Sequence, residues 1–150
     1  MRKKLWIDGQ WTDTEKYTPL FSPYSGEQIA EIPWATAAET EQAIAAAYRA
    51  KTVMAKMPAH ERSAILEKVA ALLAERAEEA ARIIATEVAK PITTAKAEVE
   101  RTIETYKFSA EEAKRIHGET LPLDAAKGGV GRIAYTVREP IGRASCRERV

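Results

Sequence analysis

The chain has 150 residues, 45% hydrophobic and 30% charged, with 23 basic and 22 acidic residues and a net charge of +1. That balance gives no global field for nucleic acid or an anionic membrane, and a single cysteine excludes an internal disulfide. A self-contained domain of this length buries roughly 70% of the surface its unfolded chain exposes. Met1-Arg2-Lys3-Lys4 is basic, but Leu5-Trp6-Ile7 runs straight into Asp8-Gly9, so no apolar core of a secretion signal follows. No window approaches the roughly 20 apolar residues that span a bilayer. The expected location is cytoplasmic, and the lone cysteine fits a reducing compartment.

Strands come first. Leu5-Trp6-Ile7 and Gln10-Trp11-Thr12 flank Asp8-Gly9, a pair that supplies the two positive φ values of a type I′ hairpin turn. A second hairpin is predicted from Thr18 to Ser22 and Glu27 to Ile32, around the turn Pro23-Tyr24-Ser25-Gly26. Trp6, Trp11 and Trp34 could form a platform for bases or sugars, but aromatics on short strands are more often packing residues, and that is the reading taken.

Helices follow. Thr36-Ala37-Ala38-Glu39 is a capping box opening a helix with a small-residue face at Ala43, Ala46, Ala47, Ala50 and Met54, which Pro58 ends. Past Pro58, Ile65, Leu66, Val69, Leu72 and Leu73 recur at helical intervals, and Ala77, Ala80, Ile83 and Ile84 renew the pattern to about Ala89. One helix, or two with a break near Arg76, fits equally well. Glu61, Arg62, Glu67, Lys68, Glu75, Arg76, Glu78 and Glu79 lie between the stripes, several at spacings that suit pairs along one exposed helix. Glu78 and Glu79 could do acid/base work only if burial separated their pKa values, and nothing nearby suggests it.

The stretch from Thr86 to Leu123 organises the rest. Ile92, Ala95, Val99, Ile103, Tyr106, Ala110 and Ala113 share one helical stripe, with Lys96, Glu100, Arg101 and Glu104 off it. Pro91 is expected to open this helix and Gly118 to close it with a left-handed cap. From Arg132 to Arg138 the period changes to two, so one strand is predicted. Gly128-Gly129-Val130-Gly131 lacks the preceding strand and following helix of a phosphate loop and reads as a flexible loop. His60 and His117 have no second His or Cys at ligand spacing, so no zinc site is supported. His117 is expected to answer a helix dipole.

Glu87, Lys90, Pro91, Ala95, Glu98, Val99, Gly118-Glu119, Pro122 and Arg138-Glu139-Pro140-Ile141-Gly142 resemble, in spacing and identity, the N-terminal third of the NAD(P)-dependent aldehyde dehydrogenase superfamily. Ser22-Pro23-Tyr24-Ser25-Gly26-Glu27 is similar to its Asn-Pro-x-Thr-Gly-Glu turn. The likeness runs from about Leu5 to Gly142 and looks nearest to members acting on lactaldehyde or succinate semialdehyde. Ala89 stands where the family usually has glycine. The fold class implied is α/β: two β-hairpins, three to four amphipathic helices and one bridging strand, without the Rossmann-like sheet. Residues 1–120 would be the helical part of a coenzyme-binding domain and 121–142 an oligomerisation arm, with 143–150 an atypical tail.

The family oxidises aldehydes through a cysteine thiohemiacetal, with hydride passing to NAD or NADP. Its cysteine stands in a Gly-Gln-x-Cys context, whereas Cys146 lies in Arg143-Ala144-Ser145-Cys146-Arg147, so no nucleophile is carried over. No catalytic, cofactor-binding or metal residue is assigned, although some members hold an alkali cation near turns matching Phe21 and Glu87. Arg143 to Val150 departs from the family pattern and is expected to be a frame break or assembly scar. The resemblance implies an inactive scaffold that binds no cofactor itself and forms a homo-oligomer through the Arg132 to Pro140 strand. Pairing of that strand with an N-terminal hairpin of its own chain is the other possibility. The competing function is a stand-alone helical protein-interaction module.

Overall fold

A computed structural model describes residues 1–139. Asp8 and Gly9 take φ values of 51° and 77°, so β1 (Leu5–Ile7) folds antiparallel onto β2 (Gln10–Thr12) with Trp6 opposite Trp11. β3 (Lys16–Phe21) and β4 (Gln28–Trp34) form the second hairpin. Its turn closes through Gly26, φ 72°, whose N–H donates to Ser22 O at 2.9 Å. The start of the chain runs beside β4, where Lys3 N–H donates to Glu31 O at 2.9 Å and Glu31 N–H to Met1 O at 3.0 Å. The tryptophans pack less than expected: Trp6 and Trp11 meet edge to face at 4.7 Å across the hairpin, yet Trp11 stays 67% exposed.

α1 (Ala37–Lys56) starts at the predicted capping box, where the Glu39 carboxylate accepts the Thr36 N–H at 2.7 Å. It ends at Met57, held extended before Pro58, as a residue preceding proline is. The helical pattern beyond divides into α2 (Ala59–Glu75) and α3 (Ala77–Val88), with Arg76 leaving helical geometry at φ −107°, ψ 22°. The long helix α4 (Ile92–Glu112) carries the organising stripe. Ala95, Val99, Ile103, Ala110 and Ala113 are buried and Tyr106 half-buried, while Ile92 lies outside the packed part of the stripe and is exposed.

The core sits where α2 and α3 meet α4. Ala70, Ala81, Ala95, Val99 and Ile103 form its buried cluster, with Leu73, Ala77, Ala80 and Ile84 packed against it. Alanines let the helices approach closely, and they also keep the buried apolar volume small.

Three expectations about the end of α4 and beyond are corrected. Gly118 does not cap the helix, which stops at Glu112 with Ala113 still right-handed. Glycine is needed there for another reason: a Cβ at 118 would lie 1.6 Å from Thr136 O. That close approach lets Thr136 N–H donate to Glu119 O at 2.8 Å. The strand predicted from Arg132 shortens to β6 (Ala134–Tyr135), which pairs antiparallel with β5 (Thr120–Leu121) and not with an N-terminal hairpin. The glycine run is not an open loop: Lys127–Gly129 forms a 3-10 turn, and a Cβ on Gly129 would sit 1.7 Å from Leu123 O. Among the described residues each sheet is a two-stranded antiparallel pair, and no helix is long and apolar enough to cross a membrane.

Candidate functional site

α2 is apolar on more than the face it buries. Ala70 and Leu73 turn to α4, while Ile65 and Leu72, seven residues apart and so on one face, remain 50% and 43% exposed. A helix with two apolar faces suits a place between two layers, and among the described residues one layer, α3 and α4, packs on it. A groove of about 940 Å³ runs between the end of α1, the start of α2 and the end of α4, floored by Met54, Ile65, Leu66, Phe108, Ala113 and Ile116. Arg62, Arg115 and Arg138 also line it. A smaller cleft of about 300 Å³ continues the apolar surface between α2 and α3, over Val69, Leu72, Leu73, Ala80 and Ile83.

α1 buries none of its residues. Its small-residue face, expected to sit close against another element, has Ala46 half-buried and Ala43, Ala47, Ala50 and Met54 exposed. The helix is tied to the first hairpin by Arg49 Nη2, 2.7 Å from Asp8 Oδ2. Apolar surface on α1, α2, α3 and α4 is therefore the main thing this structure offers a partner.

Acid/base chemistry finds no support among the charged groups. The Glu78 carboxylate is 2.5 Å from Lys96 Nζ on α4, and Glu79 is clasped by Arg76 at 2.7 and 2.8 Å. These cations hold both carboxyls below the usual range, the opposite of what separate acid and base roles need. Glu67 accepts from Lys114 and Ser63, each at 3.2 Å, which likewise lowers its pKa. Two charges predicted to pair along one helix thus reach across to other segments: Glu78 pairs with Lys96 of α4, and Glu67 with Lys114 in the turn just past the end of α4. Lys90 donates to Glu98, lowering the carboxyl across the α3–α4 corner.

The histidines are solitary. His60 is exposed and 4.0 Å from Glu61. His117 lies five residues past the end of α4 and faces the Gly118 carbonyl at 3.0 Å, so it does not sit in that helix's last turn to answer its dipole. No group of three or more His, Cys, Asp or Glu side chains suits a metal among the described residues. Glu87 lines a cleft of about 480 Å³ with Met1, Lys3, Ile29, Ala30 and Ile83, and Phe21 does not line it. Cys146, Pro140 and the tail from Arg143 lie outside the described residues. Sequence reasoning missed the arginines around the large groove, because Arg62, Arg115 and Arg138 come together only when α2, α4 and the segment after β6 pack.

Comparison with known proteins agrees with this layout. The model of the aldehyde dehydrogenase family matches residues 11–146. The 3-sulfolactaldehyde dehydrogenase of Priestia aryabhattai is 41% identical over 138 residues, 92% of this chain and 28% of that protein. The lactaldehyde dehydrogenase of Methanocaldococcus jannaschii is 38% identical over 138 residues, again 92% of this chain and 28% of the relative. The solved NADP-dependent glyceraldehyde-3-phosphate dehydrogenase from Bacillus halodurans C-125, complexed with NADP, superposes with a TM-score of 0.88 at 36% identity, over 95% of this chain and 30% of that one. The chain thus spans about 28% of the length of the curated relatives it matches.

Proposed function

The chain belongs to the aldehyde dehydrogenase family, and from that premise we propose that it supplies the N-terminal helical scaffold of an NAD(P)-dependent enzyme oxidising a small aldehyde to its carboxylic acid. The observation that carries this reading is the bare apolar surface on four helices, which suits them to cover a coenzyme-binding sheet. NAD or NADP supplies hydride acceptance in such an enzyme. No residue is assigned to hold it here: α1, α2, α3 and α4 are entered from Thr36, Pro58, Arg76 and Pro91, without the glycine-rich strand-to-helix turn that commonly cradles a pyrophosphate. No catalytic step is therefore assigned to these residues; their part is to hold the sheet that binds the coenzyme.

In this reading residues 1–120 belong to the coenzyme-binding domain and 121–142 to an arm that joins a second copy of the chain. Among the described residues β6 pairs on one edge only, toward β5, which suits its other edge to a strand of another subunit. A cytoplasmic setting accords with one cysteine in 150 residues.

A chimera tests the proposal. Residues 1–142 joined at Pro140-Ile141-Gly142 to the remainder of the 3-sulfolactaldehyde dehydrogenase should form NAD(P)H in an aldehyde-dependent manner, read by absorbance. Met1 to Val150 alone should form none. A folded but inactive chimera, or aldehyde oxidation by the 150 residues alone, would overturn the assignment. A sharp two-state melt from a clean monomer of the 150 residues would instead favour a stand-alone helical interaction module.

A further inference from the structure

We draw no further inference here: the strongest candidate, the apolar groove between the end of α1, the start of α2 and the end of α4 with Arg62, Arg115 and Arg138 around it, carries nothing because no contact in the structure shows what covers it beyond the family scaffold role already proposed.

Discussion

Ala89 holds φ 55° and ψ 31° at the C-terminus of α3, a left-handed conformation in which its Cβ crowds the backbone. Here the sequence departs from the family's usual glycine, and the geometry explains the preference: a residue without Cβ takes this position at no steric cost. Relief of that strain, partly offset by the greater freedom of unfolded glycine, should make Ala89→Gly more stable by up to about 1 kcal/mol. The check is a urea unfolding midpoint that rises with an unchanged slope; a falling midpoint would contradict the strain argument. Gly118 is the converse case. Gly118→Ala sets a methyl against Thr136 O and should open the β5–β6 pair, with faster hydrogen exchange at the Thr136 amide and little loss of helical circular dichroism.

Each helix carries faces of different consequence. Ile103 is 9% exposed inside the α2–α3–α4 cluster, so Ile103→Ala should cost about 2–5 kcal/mol and lower the melting temperature. Ile65 is half exposed on the other side of the packing, and Ile65→Gln should leave stability nearly unchanged while reducing self-association, seen by light scattering. Equal losses from both would mean that the two faces are not distinct. The ion pairs joining α3 to α4, and α2 to the turn just past α4, add a pH dependence. Glu67 and Glu78 have folded pKa values below their ordinary 4.5. The unfolded state therefore binds protons first as the pH falls, and the contribution is fully present above 4.5 and lost as pH drops through the lowered folded values. Glu67→Gln with Glu78→Gln should flatten the acid limb of a stability profile below about pH 4.5 and be blunted by salt, since these groups are exposed.

The whole molecule exposes 12228 Å². A compact monomer of 16.6 kDa exposes about 7,600 Å². Roughly half of the unfolded surface is buried, where a self-contained domain of this size buries roughly 70%. Among the described residues large apolar side chains contribute to that exposure, with Phe108 and Val53 64% and 63% exposed, and the buried core is mostly alanine. Such a chain studied alone should bind a hydrophobic dye strongly and melt with poor cooperativity, and dye binding should fall sharply in the chimera that supplies the sheet. A 150-residue chain that melts sharply without binding dye would show that the faces are closed by other means.

The sequence determined the local pieces, because each rests on neighbours in the chain. Asp8-Gly9 dictates the first hairpin, Thr36 and Glu39 the start of α1, and the three- and four-residue recurrence from Ala95 to Ala113 the buried side of α4. The order of residues around Lys90-Pro91 and Arg138-Glu139 was enough to suggest the family. What required tertiary structure involves atoms distant in sequence. The break at Arg76 has no glycine or proline to announce it. Gly118 answers to Thr136, eighteen residues away, and Glu67 reaches Lys114 across a helix interface. Which apolar stripe is core and which is bare could not be read from periodicity, since both repeat alike; only the packing of α4 against α2 and α3 consumes one and leaves the other uncovered.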